Sequence, residues 1–214
     1  MCYKKKQTKS IKEVEKRFNA NVKDKASFQT GIVSGFDYPK MPIITNDASG
    51  LVQFSHWGLI PSWAQDHTIR QYTLNARIET LHEKPSFKEV TSQRCLVIAD
   101  GFYEWKWLTK SGSEKEQHLI TLPNNNLYAF AGLWNEWYDS KTDVFLHSYT
   151  IVTTQASPFM ESIHNTKKRM PIILKPEDEN KWLTGTDIET FRFPYEVPLT
   201  SSIIHKEGQQ FRLF

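Results

Sequence analysis

A cysteine at position 2 has chemistry available to it that no internal cysteine shares. Loss of Met1 would leave Cys2 with a free α-amine next to the carbon that carries its CH2–SH group, which is a 1,2-aminothiol. An α-amine titrates at about 7.7–8.0, so an appreciable neutral fraction attacks aldehydes near pH 7. The imine then lies within reach of the sulfur, and closure to a five-membered thiazolidine is intramolecular, with a large effective molarity. Against this stands the bland reading of Cys2 as an ordinary tail residue.

Other residue types fit a proton-transfer site around it. Glu104 interrupts the strand-like run Phe102-Tyr103-Glu104-Trp105-Lys106-Trp107, so it faces either solvent or a site, and aromatic surroundings would move its carboxyl toward the range useful for acid/base work. His164 has the intrinsic pKa for proton exchange near neutrality, with capping of the last carbonyls of a helix as its structural alternative. Asn75 and Arg77, two apart on a strand, share a face, which suits one neutral hydrogen-bonding group beside one phosphate anchor as well as it suits a surface pair. Trp63, with Phe36, Tyr38 or Pro42, offers flat faces on which bases of a single strand could stack, although core packing is the usual fate of aromatics. Cys95, inside an apolar run, reads as a buried small hydrophobe.

The elements that must position these residues are mostly strands. Ser10-Ile11-Lys12-Glu13 has the form of a capping box, and Ile11, Val14 and Phe18 recur at helical spacing, which predicts a helix over 11–20 just after Cys2. Residues 28–56 read as short strands broken by Gly, Pro and the Asn46–Gly50 turn, and 57–70 as irregular. A helix is expected over 86–93 after Pro85. Strands follow over 95–99 and 102–107, parted by Asp100-Gly101, and then near 117–121, 127–132 and 145–153. Ser157-Pro158 predicts a short helix ending near His164, and Pro176 opens another that stops at Gly185. With no repeat, low-complexity tract or linker, residues 1–214 read as one α+β domain, a mainly antiparallel, barrel-like sheet with peripheral helices.

The totals narrow the classes. The chain has 214 residues, 39% hydrophobic and 13% aromatic, with apolar runs far too short for a membrane span. Its start lacks the apolar stretch of a secretory signal, so a cytoplasmic location is expected, and in a reducing compartment the two cysteines are expected as thiols. The net charge is only +3, yet residues 1–25 hold nine Lys/Arg against three acids. Such a cluster is either the electrostatic footprint of a phosphate backbone or a solvated helix face.

Five segments in series carry a resemblance over nearly the whole chain. They are Trp57-Gly58-Leu59-Ile60-Pro61-Ser62-Trp63-Ala64, Leu74-Asn75-Ala76-Arg77-Ile78-Glu79-Thr80, Arg94 through Trp105, Phe130-Ala131-Gly132-Leu133-Trp134, and Ile163-His164 followed by Arg169-Met170-Pro171. Together with cysteine at position 2, they resemble the motifs of the SOS response-associated peptidase (SRAP) family. The resemblance implies a sensor of abasic sites in single-stranded DNA. Such a protein removes its own Met1 as a thiol autopeptidase, then captures the ring-opened sugar aldehyde as a thiazolidine crosslink with lyase-like chemistry, and so shields the site from strand cleavage. It implies catalytic roles for Cys2, Asn75, Glu104 and His164: Asn75 holds the Cys2 amine or the opened sugar, Glu104 shuttles protons, and His164 assists as a second acid/base. It also implies phosphate contacts from Arg77, from Lys4 and from one of the basic side chains after His164, with Lys168 and Arg169 as candidates, while Trp63 is a candidate for base stacking.

The chain departs from the family at two places. It begins Met1-Cys2-Tyr3-Lys4 where Met-Cys-Gly-Arg is commoner, so a phosphate contact passes to Lys4 without bidentate geometry. It also has a longer stretch, Asn165-Thr166-Lys167-Lys168, after His164. No metal or cofactor is expected, no membrane partner, and a monomer. Two further readings use the same residues: a thiol peptidase of the N-terminal nucleophile type acting on peptides, and a non-catalytic single-strand binder.

Overall fold

The structure, a computed structural model, describes residues 2–204. The N-terminus is a strand, β1 (Lys4–Gln7), which pairs antiparallel on both sides, with β3 (Gly31–Ser34) and with β8 (Gly101–Trp107). The outer face of β8 is continued by β9 (Lys115–Thr121) and β14 (Thr200–Ile203), giving a five-stranded sheet in the order β14-β9-β8-β1-β3. Between β1 and β3 lie α1 (Ile11–Phe18) and the two-residue β2 (Asn21–Val22). The α1 capping box forms as the sequence predicts: Ser10 N–H donates to Glu13 Oε2 at 2.8 Å and Glu13 N–H to Ser10 Oγ at 3.4 Å. The helix ends at Asn19 in the left-handed region, a conformation that asparagine tolerates.

The second sheet is built around a ring of strands. β4 (Lys40–Thr45), β5 (Leu51–Trp57), β7 (Arg94–Ala99), β10 (Tyr128–Asp139) and β11 (Val144–Gln155) run in the order β11-β10-β7-β4-β5. A parallel β11–β5 pairing at Ser148↔His56 and Tyr149↔Trp57 closes the ring into a five-stranded barrel. Onto it pair β6 (Asn75–Arg77), which is parallel to β11, β12 (Arg169–Pro171) and β13 (Ile173–Leu174). The helices α2 (Pro158–Ile163) and α3 (Glu179–Leu183) are peripheral. The α+β class with a mainly antiparallel, barrel-like sheet is therefore as expected from sequence. None of the helices among the described residues is long and apolar enough to cross a membrane.

Alternation along the barrel strands divides their side chains between two cores. Ile44, Phe54, Leu96, Ile98, Ala131 and Val152 pack with Val14 of α1 and Trp182 of α3. Ile43, Trp57, Cys95, Val97, Phe130, Tyr149 and Ile151 pack with Phe102 and Ile120 of the other sheet and with Cys2 itself. Trp182 is fully buried and its indole N–H is shared between the carbonyls of Cys95 (3.1 Å) and Gly132 (3.2 Å), which ties α3 to the barrel wall.

Two sequence expectations change. The helix over 86–93 is replaced by turns with a single 3-10 turn at Lys88–Val90. An eight-residue helix carrying β-branched Val90 and Thr91 is marginal in isolation, and the chain must straighten to enter β7, where Arg94 N–H donates to Asn46 Oδ1 at 3.1 Å. The helix from Pro176 splits into a 3-10 turn, Pro176–Asp178, and the short α3, with Gly185 beyond it at φ 90° as the expected stop.

Gly132 on β10 marks the closest approach in the Cys2 core. A Cβ there would lie 2.8 Å from Cys95 Sγ, 2.7 Å from Val97 Cγ2 and 3.0 Å from the Thr150 carbonyl oxygen. Gly132→Ala is expected to destabilise the protein by about 1–3 kcal/mol through overpacking, seen as a lower urea midpoint with an unchanged m-value.

Candidate functional site

Position 2 is delivered to the site by β1. β1 pairs with β8 at Lys4↔Tyr103 and Lys5↔Phe102, and Glu104 is the next residue of β8. On the other edge Gly35 N–H donates to the Tyr3 carbonyl at 2.8 Å, and Gly35 is itself pressed against the Trp57 ring. Cys2 is fully buried. Its carbonyl accepts from Asn75 Nδ2 at 2.9 Å, a contact between residues 73 apart in sequence that depends on the β6–β11 pairing. Because a carbonyl can only accept, this bond fixes the amide orientation, and Asn75 Oδ1 is left as a buried acceptor without a hydrogen-bond partner.

Glu104 is buried at 4% exposure, so it faces the site and not solvent. Its charge acts on the Cys2 thiol, on the Tyr3 hydroxyl and on His164, which puts all three within one electrostatic neighbourhood. His164 closes α2 through its backbone N–H to the Met160 carbonyl at 2.7 Å, but its ring does not cap that helix. Nδ1 lies 2.7 Å from the Arg169 carbonyl, which assigns the Nδ1–H tautomer and makes Nε2 the nitrogen that exchanges protons. Burial moves the His164 pKa below its ordinary value, outweighing the opposing pull of Glu104. The four residues Cys2, Asn75, Glu104 and His164 are thus brought together from β1, β6, β8 and the end of α2.

The thiol itself is pushed well above its ordinary pKa, first by burial and then by the Glu104 charge. It therefore rests protonated, and a protonated buried thiol is a poor target for oxidants. Beneath it lies a residue whose role sequence reasoning missed. Lys5 is fully buried, its ammonium donating to the Ile98 carbonyl at 2.9 Å, with Nζ 6.0 Å from the centre of the Tyr149 ring. Burial lowers its pKa to about 7, with Cys2, Asp100 and Cys95 pulling the other way. In sequence Lys5 is the middle of three lysines, and only the pairing of β1 on both edges shows that its side chain turns inward.

The basic residues divide unequally. Arg77 is exposed on the same face of β6 as Asn75. Lys4 lies over the Tyr103 ring at 4.9 Å, and Lys168 is 59% exposed with a 3.5 Å contact to Glu161. Arg169 is committed elsewhere: its guanidinium holds Glu79 bidentately at 2.7 and 2.8 Å and also donates to the Thr153 carbonyl. Of the N-terminal basic cluster, Arg17 is paired with Glu179, Lys6 with Asp100 and Lys9 with Glu13, so much of that charge is internally met. The longer stretch after His164 has a structural use, since Asn165 exchanges two hydrogen bonds with the backbone of Trp107 and fastens this loop to β8.

Several aromatic faces are exposed. Phe36 is 55% exposed and packs on Tyr3 at 5.0 Å between ring centres, Arg70 lies over the Tyr38 ring at 4.4 Å, and Tyr72 is 75% exposed. Trp63 is half exposed, held by its indole N–H on the Pro85 carbonyl at 3.2 Å. Its loop is tacked to the β10–β11 hairpin through Asn135 Nδ2 to the Ile60 carbonyl (2.7 Å) and the Trp137 indole to the Ala64 carbonyl (2.7 Å). Pro42, by contrast, is buried within β4 and presents no stacking face.

Residues 1–199 match the sequence pattern of the SOS response associated peptidase (SRAP) family. The chain belongs to this family. The abasic site processing protein YoqW of Bacillus subtilis (strain 168) is 44% identical over 162 residues, covering 73% of this chain and 70% of that protein. The abasic site processing protein HMCES of Xenopus tropicalis is 35% identical over 157 residues, covering 63% of this chain and 45% of that longer protein. A crystal structure of a protein from Bacteroides thetaiotaomicron superposes with a TM-score of 0.86 at 31% identity, covering 96% of this chain and 93% of that one. Within this SRAP chain no group of three or more His, Cys, Asp or Glu side chains is arranged to hold a metal ion among the described residues.

The buried lysine has a measurable consequence for stability. Since its folded pKa lies near 7 and its ordinary value is 10.5, the unfolded chain binds more protons than the folded one between those values, and stability rises with pH there. Cysteine thiols, which ionise near 9.0 in the unfolded chain but resist ionisation when buried, reverse the trend above that pH. Lys5→Met, similar in length and apolar, is expected to raise the melting temperature at pH 7 and to abolish the rise between pH 7 and 9, as followed by thermal denaturation across that range.

Proposed function

We propose that this SRAP chain is a sensor of abasic sites in single-stranded DNA that bonds covalently to them through Cys2. The observation that carries this reading is the enclosure of Cys2 by Asn75, Glu104 and His164, with the Asn75 amide already bonded to the Cys2 carbonyl. The names of the similar abasic site processing proteins support it. Met1, whose loss the reaction requires, lies outside the described residues. For its removal, the Cys2 sulfur attacks the Met1 carbonyl, the peptide bond to the Cys2 nitrogen breaks, and water hydrolyses the thioester. The freed amine then finds an acceptor in Asn75 Oδ1, otherwise buried and unmatched.

In the capture step, the neutral amine adds to the C1 aldehyde of the ring-opened sugar, water leaves, and the sulfur closes the ring. Glu104 and His164 carry the protons that ring opening, dehydration and the reverse steps demand. A thiazolidine removes the imine that drives β-elimination, so the bound strand is protected from scission. Arg77, Lys4 and Lys168 offer phosphate contacts, and Trp63, Phe36 and Tyr72 offer sequence-tolerant stacking faces on a single strand. Arg169 supports the site through Glu79 and the His164 contact.

Mature protein incubated with single-stranded DNA bearing one abasic site is expected to yield a heat-stable adduct on denaturing gels, with intact mass showing Met1 absent. An equal yield from Cys2→Ala would falsify the proposal. Glu104→Gln is expected to slow both formation and reversal on the order of 10²-fold or more. Burial moves the His164 pKa below its ordinary value, so its base function is expected to persist to more acidic pH than a free imidazole's and to be lost only on further acidification, when adduct formation should weaken. Turnover of free peptides without DNA would instead favour a thiol peptidase of the N-terminal nucleophile type. Salt-sensitive binding with no covalent species would favour a plain single-strand binder.

A further inference from the structure

Ring closure has a proton problem that Glu104 does not solve. As the carbon–sulfur bond forms, the Cys2 thiol must lose its proton inside a buried pocket, and the Glu104 charge opposes formation of a thiolate there. A cationic or proton-accepting group on the sulfur side is needed, and Lys5 is the buried group of that kind. It is fully buried, and its cross-strand partner Phe102 and the Tyr149 ring beside its ammonium belong to the core that also packs Cys2, Cys95 and Tyr128. The groups facing it are the Cys95 thiol and Ile98 carbonyl of β7, the Asp100 carboxylate in the turn before β8, and the Tyr149 ring of β11. Asp100 is already held by Thr8 and Lys6, and the cross-strand neighbours Val33 and Phe102 are apolar. The hydroxyls of Tyr128 and Tyr149 are buried without hydrogen-bond partners, which keeps the pocket polar around the sulfur. A lysine buried with no carboxylate bonded to it is costly, and an apolar side chain of its size would serve packing better.

We propose that Lys5 is the proton acceptor for the Cys2 sulfur, taking the thiol's proton when the thiazolidine ring closes and returning it when the ring opens. This rests on the aldehyde-capture reading. The amine and aldehyde have by then condensed, with loss of water, to an imine, and a proton from the Glu104 and His164 side makes it an iminium ion. The sulfur bonds to the iminium carbon, the C=N π pair becomes the nitrogen lone pair, and the thiol proton passes to the neutral Lys5 amine, which becomes an ammonium. The positive charge thus moves from the iminium to Lys5, and no isolated thiolate is left buried. Nothing is oxidised or reduced. The amine side and the sulfur side of Cys2 are then served by separate groups, Glu104 with His164 on one and Lys5 on the other.

The test uses the full mature chain, wild type, Lys5→Met and Lys5→Arg, with a single-stranded oligonucleotide containing one abasic site. Closed ring is read as heat-stable adduct without reductant, and imine as adduct trapped by cyanoborohydride. In the wild type the ratio of closure to imine is expected to rise with pH through about 7. Lys5→Met is expected to close on the order of 10²-fold more slowly and to lose that pH step, while imine trapping stays at the wild-type level. Lys5→Arg, permanently charged, is expected to close slowly as well. A Lys5→Met protein that closes at the wild-type rate with the wild-type profile overturns the proposal, as does one that loses imine and closed adduct together. If the wild type gives neither adduct, the aldehyde-capture reading has failed, and this one with it.

Discussion

The pairing of β1 on both of its edges is the constraint on which the site depends. A chain terminus is ordinarily frayed because nothing satisfies its backbone groups. Here β3 and β8 bind residues 4–7 from either side, Gly35 holds the Tyr3 carbonyl and Asn75 holds the Cys2 carbonyl. Each contact comes from a different part of the chain, so residue 2 is located by the assembled fold and not by its neighbours. A small aminothiol on a mobile tail would react with any aldehyde. On the proposed reading, one held in a buried pocket would meet only an aldehyde brought to it beside Glu104 and His164.

Burial also sets the electrostatics. The same desolvation that raises the Cys2 thiol lowers Lys5 and His164, so three groups that would differ widely in water are all uncharged or readily discharged near neutrality. A site in this condition can move protons at small cost because no step creates an isolated buried charge. The resting thiol is buried and protonated.

The positive charge of the N-terminal segment is a useful contrast. As a count of residues it suggests a phosphate-binding stripe, yet the structure distributes it among a core lysine, a helix-to-helix ion pair at Arg17–Glu179 and a turn-stabilising contact at Lys6–Asp100. Lys12, Lys16, Lys23 and Lys25 of the segment stay exposed, as does Arg77 on β6. Arg169, which motif reasoning assigned to DNA, organises Glu79 and Thr153 behind His164.

Local chemistry was legible in the residues themselves. The α1 capping box, the Ser157-Pro158 helix start, the Asp100-Gly101 break between strands and the Asn75–Arg77 shared face all follow from interactions within a few positions, and each formed. The expected 86–93 helix did not, because its local preference was too weak to resist the entry into β7. Whether Glu104 faced solvent or the interior, and that Lys5 and not Lys4 or Lys6 entered the core, were decided by strands from distant parts of the chain, such as β8 pairing with β1 and Ile98 accepting from Lys5 93 positions away. A strand's alternation says that neighbours point opposite ways. Which way is inward depends on the sheet that arrives to cover it.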